Sequence, residues 1–174
     1  MSTEPIFQAQ LILGYVAWLL CLGAYILPWL KSMDRIEAHR AIATLHSFRF
    51  FGLAFMVPGV VSRSRPDSFA TFAAYGDFVT GLLALAALLT IKIRPAFWLF
   101  VAAFNVVGTA DLVLDYYHAI QVGLPARAGE LGAAYAIPIL YVPLLMITHG
   151  VALYLLVRSP AKAAHLPTGD AATS

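Results

Sequence analysis

The sequence predicts an all-α integral membrane protein, a bundle of five transmembrane helices with the N-terminus outside and the C-terminus cytoplasmic. Three observations predict it. Of the 174 residues, 61% are apolar and only 11% charged, against roughly 25% charge in soluble domains. The apolar residues gather into five runs, each long enough to cross a hydrocarbon core of about 30 Å, which takes roughly 20 helical residues. The cationic residues fall between those runs and do so unevenly. Mean hydropathy is +0.81, and a soluble domain of this size has too much surface per volume to hide that much apolar area.

The five spans are read at residues 8–30, 36–61, 69–91, 96–120 and 131–157, as one transmembrane domain over 1–157. The first run is too long for a signal-peptide core, has no Lys or Arg before it, and ends in Pro28-Trp29-Leu30-Lys31 instead of a small-residue cleavage site, so it is read as a retained span. The second is the most polar. Short connectors are expected at 31–35, 62–68, 92–95 and 121–130. Residues 158–174, rich in Ala, Pro and Thr, are expected to form a disordered cytoplasmic tail.

Orientation follows from the basic residues. Lys31, Arg35, Arg40, Lys92, Arg94, Arg158 and Lys162 fall on one side, and Arg63, Arg65 and Arg127 on the other. The richer side is read as cytoplasmic. Trp29 and Trp98 then fall at the inner boundary, and Tyr75, Tyr116, Tyr117 and Tyr135 near the outer one, where amphipathic rings belong. The expected location is a cell membrane, crossed several times, which is the inner membrane if the source is bacterial.

Several functions are excluded or left without support. The net charge of +2 is small and scattered, so nothing suggests nucleic acid. A single cysteine, Cys21, excludes an internal disulfide and a CxxC site. The chain has no GxGxxG, GxxxxGK[ST], HExxH or GxSxG stretch.

The polar residues inside the spans carry the functional reading, because a charge at mid-bilayer costs on the order of 3 kcal/mol even on lenient scales. At about 1.5 Å per residue, Arg49 lies roughly 16 Å deep from one face and Asp77 roughly 18 Å from the same face. The two are expected to form a buried ion pair. His39, His46, Arg49 and Leu53 share a stripe on the second span. Asp77 borders a stripe of small residues, Ala73, Gly76, Thr80, Ala84 and Ala87, which marks close helix contact. On the fourth span Asn105, Gly108, Asp111, Asp115 and His118 face one way, as a polar track opening outward, with Thr109 nearby. Pro138 and Pro143 interrupt the fifth span as prolines do around binding sites in transporters.

The leading expectation is a protein that binds or translocates a small amphipathic molecule, an anion held by Arg49, or a proton. Its site comprises Arg49, Asp77, Asn105, Asp111, His46 and Thr109, with Asp115 and His118 as an outer acid–base track. One alternative is a haem b protein or another membrane-embedded subunit of a larger complex, with His46 and His149 as axial ligands from two helices. A second is an enzyme modifying a lipid or isoprenoid, with Asp111, Asp115 and His118 as acid–base groups or metal ligands. A third is a structural or assembly partner, as a homo-oligomer or within a complex. No metal site and no catalytic constellation is assigned.

Overall fold

The computed structural model describes residues 3–62 and 67–157, and the backbone alone for 67–69. The expected tail, the cations Arg63, Arg65, Arg158 and Lys162, and most of the connector at 62–68 lie outside the described residues. Everything described is helix, turn or short connector, apart from one isolated bridge between Pro58 and Val61.

Helix α1 runs Glu4–Ser32. Pro5 opens it, where a missing N–H costs nothing. A wide π turn at Leu22–Ile26 precedes Pro28, whose ring and absent donor disturb the turn before it. Helix α2, Arg35–Ser47, begins at Asp34, whose carboxylate accepts from Ile36 N at 2.8 Å and Glu37 N at 3.0 Å. Those bonds satisfy two donors that the first turn would leave open.

At Phe48 the chain tightens into a 3₁₀ segment, Phe48–Met56. Its period of three eclipses residues three apart. The buried residues are Arg49, Gly52 and Phe55, at that spacing. The stripe of an α-helix expected through Leu53 is therefore replaced. Pro58 ends the segment, and Gly59 turns the chain with φ 86°.

Helix α3, Asp67–Leu89, and helix α4, Arg94–Gln121, form a hairpin across a short turn, with Pro95 in the first turn of α4. A second 3₁₀ segment, Leu124–Tyr135, follows where loop and the start of a span were expected. Gly132 breaks it with φ 53° and ψ −128°. It is stitched to the end of the second run by Ser62 N to Glu130 O at 2.8 Å and Ala133 N to Val60 O at 3.0 Å. Helix α5 covers Ile137–Val157. It begins with a π turn at Ile137–Tyr141, between Ala136 and the Pro143 that follows.

Among the described residues four helices are long and apolar enough to cross a membrane: α1, Ala70–Leu89 within α3, α4 and α5. The second run does not form one continuous α-helix, because it divides at Ser47 into α2 and the 3₁₀ segment. The last run becomes a spanning helix at Ile137 and not at Leu131.

Two apolar clusters fill the bundle. One, near the α3–α4 turn, joins Ile42, Ala84, Phe97, Phe104 and Ala152. The other, under the second 3₁₀ segment, joins Phe7, Phe55, Ala73, Leu131 and Ile137. Along α3, α4 and α5 the buried polar residues lie between these clusters. Outward faces carry large exposed apolar side chains, among them Leu13, Leu20, Leu99, Val106 and Ile120, as helices surrounded by lipid require.

Candidate functional site

The site is built around Arg49, which has no solvent exposure. The 3₁₀ segment points it inward between α3, α4 and α5. Its Nε donates to Asp77 Oδ1 at 2.6 Å, and Nη2 stands 2.6 Å from the same oxygen. Nη2 also donates to Asp111 Oδ2 at 2.6 Å. Nη1 donates to Gly108 O at 3.3 Å and to His149 Nε2 at 3.1 Å. Four of the five N–H groups of the guanidinium are engaged in these hydrogen bonds. The pairing expected from depth is present, and Asp111 joins it as a second carboxylate.

His149 extends the network. Its Nδ1 donates to Asn105 Oδ1 at 3.0 Å, since an amide oxygen can only accept. That leaves Nε2 as the acceptor for Arg49. The Asn105 amide nitrogen donates to Val101 O at 2.8 Å. His46 stacks on His149 with ring centroids 4.0 Å apart, and its Nε2 meets the Thr148 hydroxyl at 3.0 Å. Thr148 Oγ1 donates to Leu144 O at 2.8 Å, so it accepts from His46 and leaves His46 Nδ1 unpartnered.

Glycines make the cluster possible. A Cβ on Gly52 would enter the Asp77 carboxylate, and one on Gly76 would enter that of Asp111. A Cβ on Gly108 would stand 2.5 Å from His149 Nε2, 2.6 Å from Arg49 Nη1 and 2.6 Å from Thr80 Cγ2. The three helical elements meet here closely enough to exclude water because no side chain intervenes. Gly52, Gly76, Gly108 and Thr148 were not assigned to the site from sequence. The first three lie within three residues of Arg49, Asp77 or Asp111, which is the signal that could have found them.

Other candidates fall differently. Thr109 Oγ1 donates to Asn105 O at 2.6 Å in its own helix and makes no bond to the cluster. Asp115 and His118 have different surroundings. His118 packs edge-on to Phe72 with centroids 4.6 Å apart, while Asp115 lines an internal cavity and its Oδ1 is buried without a partner. His46 and His149, expected as axial ligands on either side of a porphyrin, have their ring centroids 4.0 Å apart. At Arg49, where an anion was expected, the carboxylates of Asp77 and Asp111 stand against the guanidinium. Among the described residues no group of three His, Cys, Asp or Glu is placed to hold a metal ion.

The cavity has a volume of about 190 Å³ and lies beside the cluster, under the second 3₁₀ segment. Its wall is apolar and aromatic, including Phe7, Phe55 and Leu131. Asp77 and Asp115 are the charged residues that line it. Tyr116, also in the wall, shares a 2.7 Å hydrogen bond with Tyr15 that ties α4 to α1. A shallower groove between α3 and α4 reaches Asp111 from the opposite side, past Gly76 and Tyr75.

No curated protein and no solved structure matches the chain. A family model matches residues 6–157, which takes in every residue of the cluster. The chain therefore belongs to the family described as Domain of unknown function (DUF8737).

Proposed function

We propose that the protein crosses a cell membrane five times, N-terminus outside, and binds a small amphipathic molecule in the cavity beside the Arg49 cluster. The fifth crossing is α2 with the 3₁₀ segment after it. Thirteen α-helical and nine 3₁₀ residues rise by about 38 Å at about 1.5 and 2.0 Å each, enough to span the core. Lys31 and Arg35, at the α1–α2 turn, and Lys92 and Arg94, at the α3–α4 turn, support the cytoplasmic assignment of that end.

One observation carries the binding reading. An apolar cavity lies against the most polar layer of the bundle, with two carboxylates in its wall. Ligand sites are commonly apolar pockets with a few convergent polar groups, and bundles place them between helices. The Arg49 network makes the polar side of the cavity rigid, because it ties the 3₁₀ segment to α3, α4 and α5.

Hexanol tests this reading. It should raise the melting temperature of the purified protein in detergent, and Ala119→Phe, which fills the cavity, should abolish the rise. Equal stabilisation of the parent and the filled variant would place the alcohol elsewhere and remove the reading.

A further inference from the structure

We infer that the head group held in this cavity is cationic, an ammonium, with Asp115 as its counter-ion. The inference rests on the binding reading above and adds the chemistry of the ligand.

Charge decides between heads. Asp77, Asp111 and Asp115 bring three carboxylates to one region, and Arg49 brings one guanidinium. Four of its N–H groups go to Asp77, Asp111, His149 and the Gly108 carbonyl. Asp77 and Asp111 therefore have a partner in the protein. Among the described residues Asp115 has none, and its Oδ1 is closed off from solvent.

Among the described residues the cavity wall contains no cationic side chain. A carboxylate or phosphate head placed there would face Asp77 and Asp115 with nothing to neutralise it. A neutral head would leave Asp115, half-buried and without a partner among the described residues, as it stands. An ammonium supplies the charge opposite to that of Asp77 and Asp115. The rings of Phe7, Phe55 and Tyr116 line the same space. Aromatic faces attract cations, most strongly where water is absent. The acidic residues of the lining and its aromatic rings are separate observations, and both select the same sign of charge.

The test uses the full chain in zwitterionic nanodiscs at neutral pH with three probes of one chain length: hexylamine, hexanol and hexanoate. Hexylamine should bind about tenfold more tightly than hexanol, the factor one good polar contact supplies, and hexanoate should bind most weakly. Asp115→Asn, close in shape and without the charge, should bring the hexylamine-to-hexanol ratio close to one, with the unliganded melting curve reporting that the variant is folded. Should Asp115→Asn not fold, Ala119→Phe supplies the check, since it must remove hexylamine binding. Equal binding of hexylamine and hexanol to the parent overturns the cationic head and leaves the cavity reading intact. A preference for hexylamine that survives in Asp115→Asn, or binding that survives in Ala119→Phe, overturns the site. If none of the three probes binds, both readings fall.

Discussion

Arg49 and Asp77 stand 28 positions apart in the chain and meet at 2.6 Å with the guanidinium wholly buried. The contact joins the 3₁₀ segment to α3 at the level where Asp111 arrives from α4. Removing the guanidinium leaves two buried carboxylates without their counter-charge, and breaking a buried pair this way typically costs about 3–5 kcal/mol. Arg49→Gln should therefore lower the melting temperature of the detergent-solubilised protein strongly. Arg49→Lys should recover only part of the loss, because an ammonium cannot fork to both aspartates. A lysine variant as stable as the parent would show that charge alone matters.

The two aspartates should not be equivalent. Asp77 Oδ1 stands within 2.6 Å of both Nε and Nη2 of Arg49, whereas Asp111 receives Nη2 alone. Asp111→Asn leaves one guanidinium facing one carboxylate, a balanced pair, and should cost within about 1 kcal/mol, as exchanging a charged for a neutral hydrogen-bond acceptor allows. Asp77→Asn should cost clearly more. The double substitution, which isolates the positive charge, should exceed the sum of the two. Thermal melts of the four proteins in one detergent measure this, and an additive double variant would contradict it.

Gly108 should tolerate nothing larger than hydrogen. An added methyl would press on His149, Arg49 and Thr80 at once, and overpacking of this kind costs typically 1–3 kcal/mol, roughly, in a well-packed core. Gly150→Ala is the matched control, since a Cβ there meets nothing within 4 Å. The expected outcome is a large drop in melting temperature for the first and little change for the second.

The stacked His46 and His149 rings give a spectroscopic expectation. Protein purified from cells well supplied with haem should show no Soret band, because the 4.0 Å stack would have to separate and His149 to leave Arg49 and Asn105. A Soret band lost in both His46→Ala and His149→Ala would require another conformation of α2 and α5.

Topology can be read by labelling. In a Cys21→Ala background, Gly129→Cys, exposed in the second 3₁₀ segment, should react with an impermeant maleimide on intact cells. Ser32→Cys, exposed at the α1–α2 turn, should react only after the cells are opened. The reverse pattern would invert the orientation.

By itself the sequence determined the spacing of apolar runs and the depth of the charges between them. Both are one-dimensional quantities, since hydropathy and helical rise add along a chain. Arg49 and Asp77 could be matched for that reason, and the runs of α1, α3, α4 and α5 were legible as spans. Tertiary structure decided direction. A single period of 3.6 could not show that the chain tightens at Phe48, so Gly52 and Phe55, not Leu53, share the face of Arg49. Nor could it show that Thr109 bonds back into its own helix, that His46 and His149 touch, or that Asp111 and His149 join Asp77 at Arg49. Those outcomes depend on the rotation of each helix about its axis, and that rotation is set by which glycines let neighbouring backbones approach.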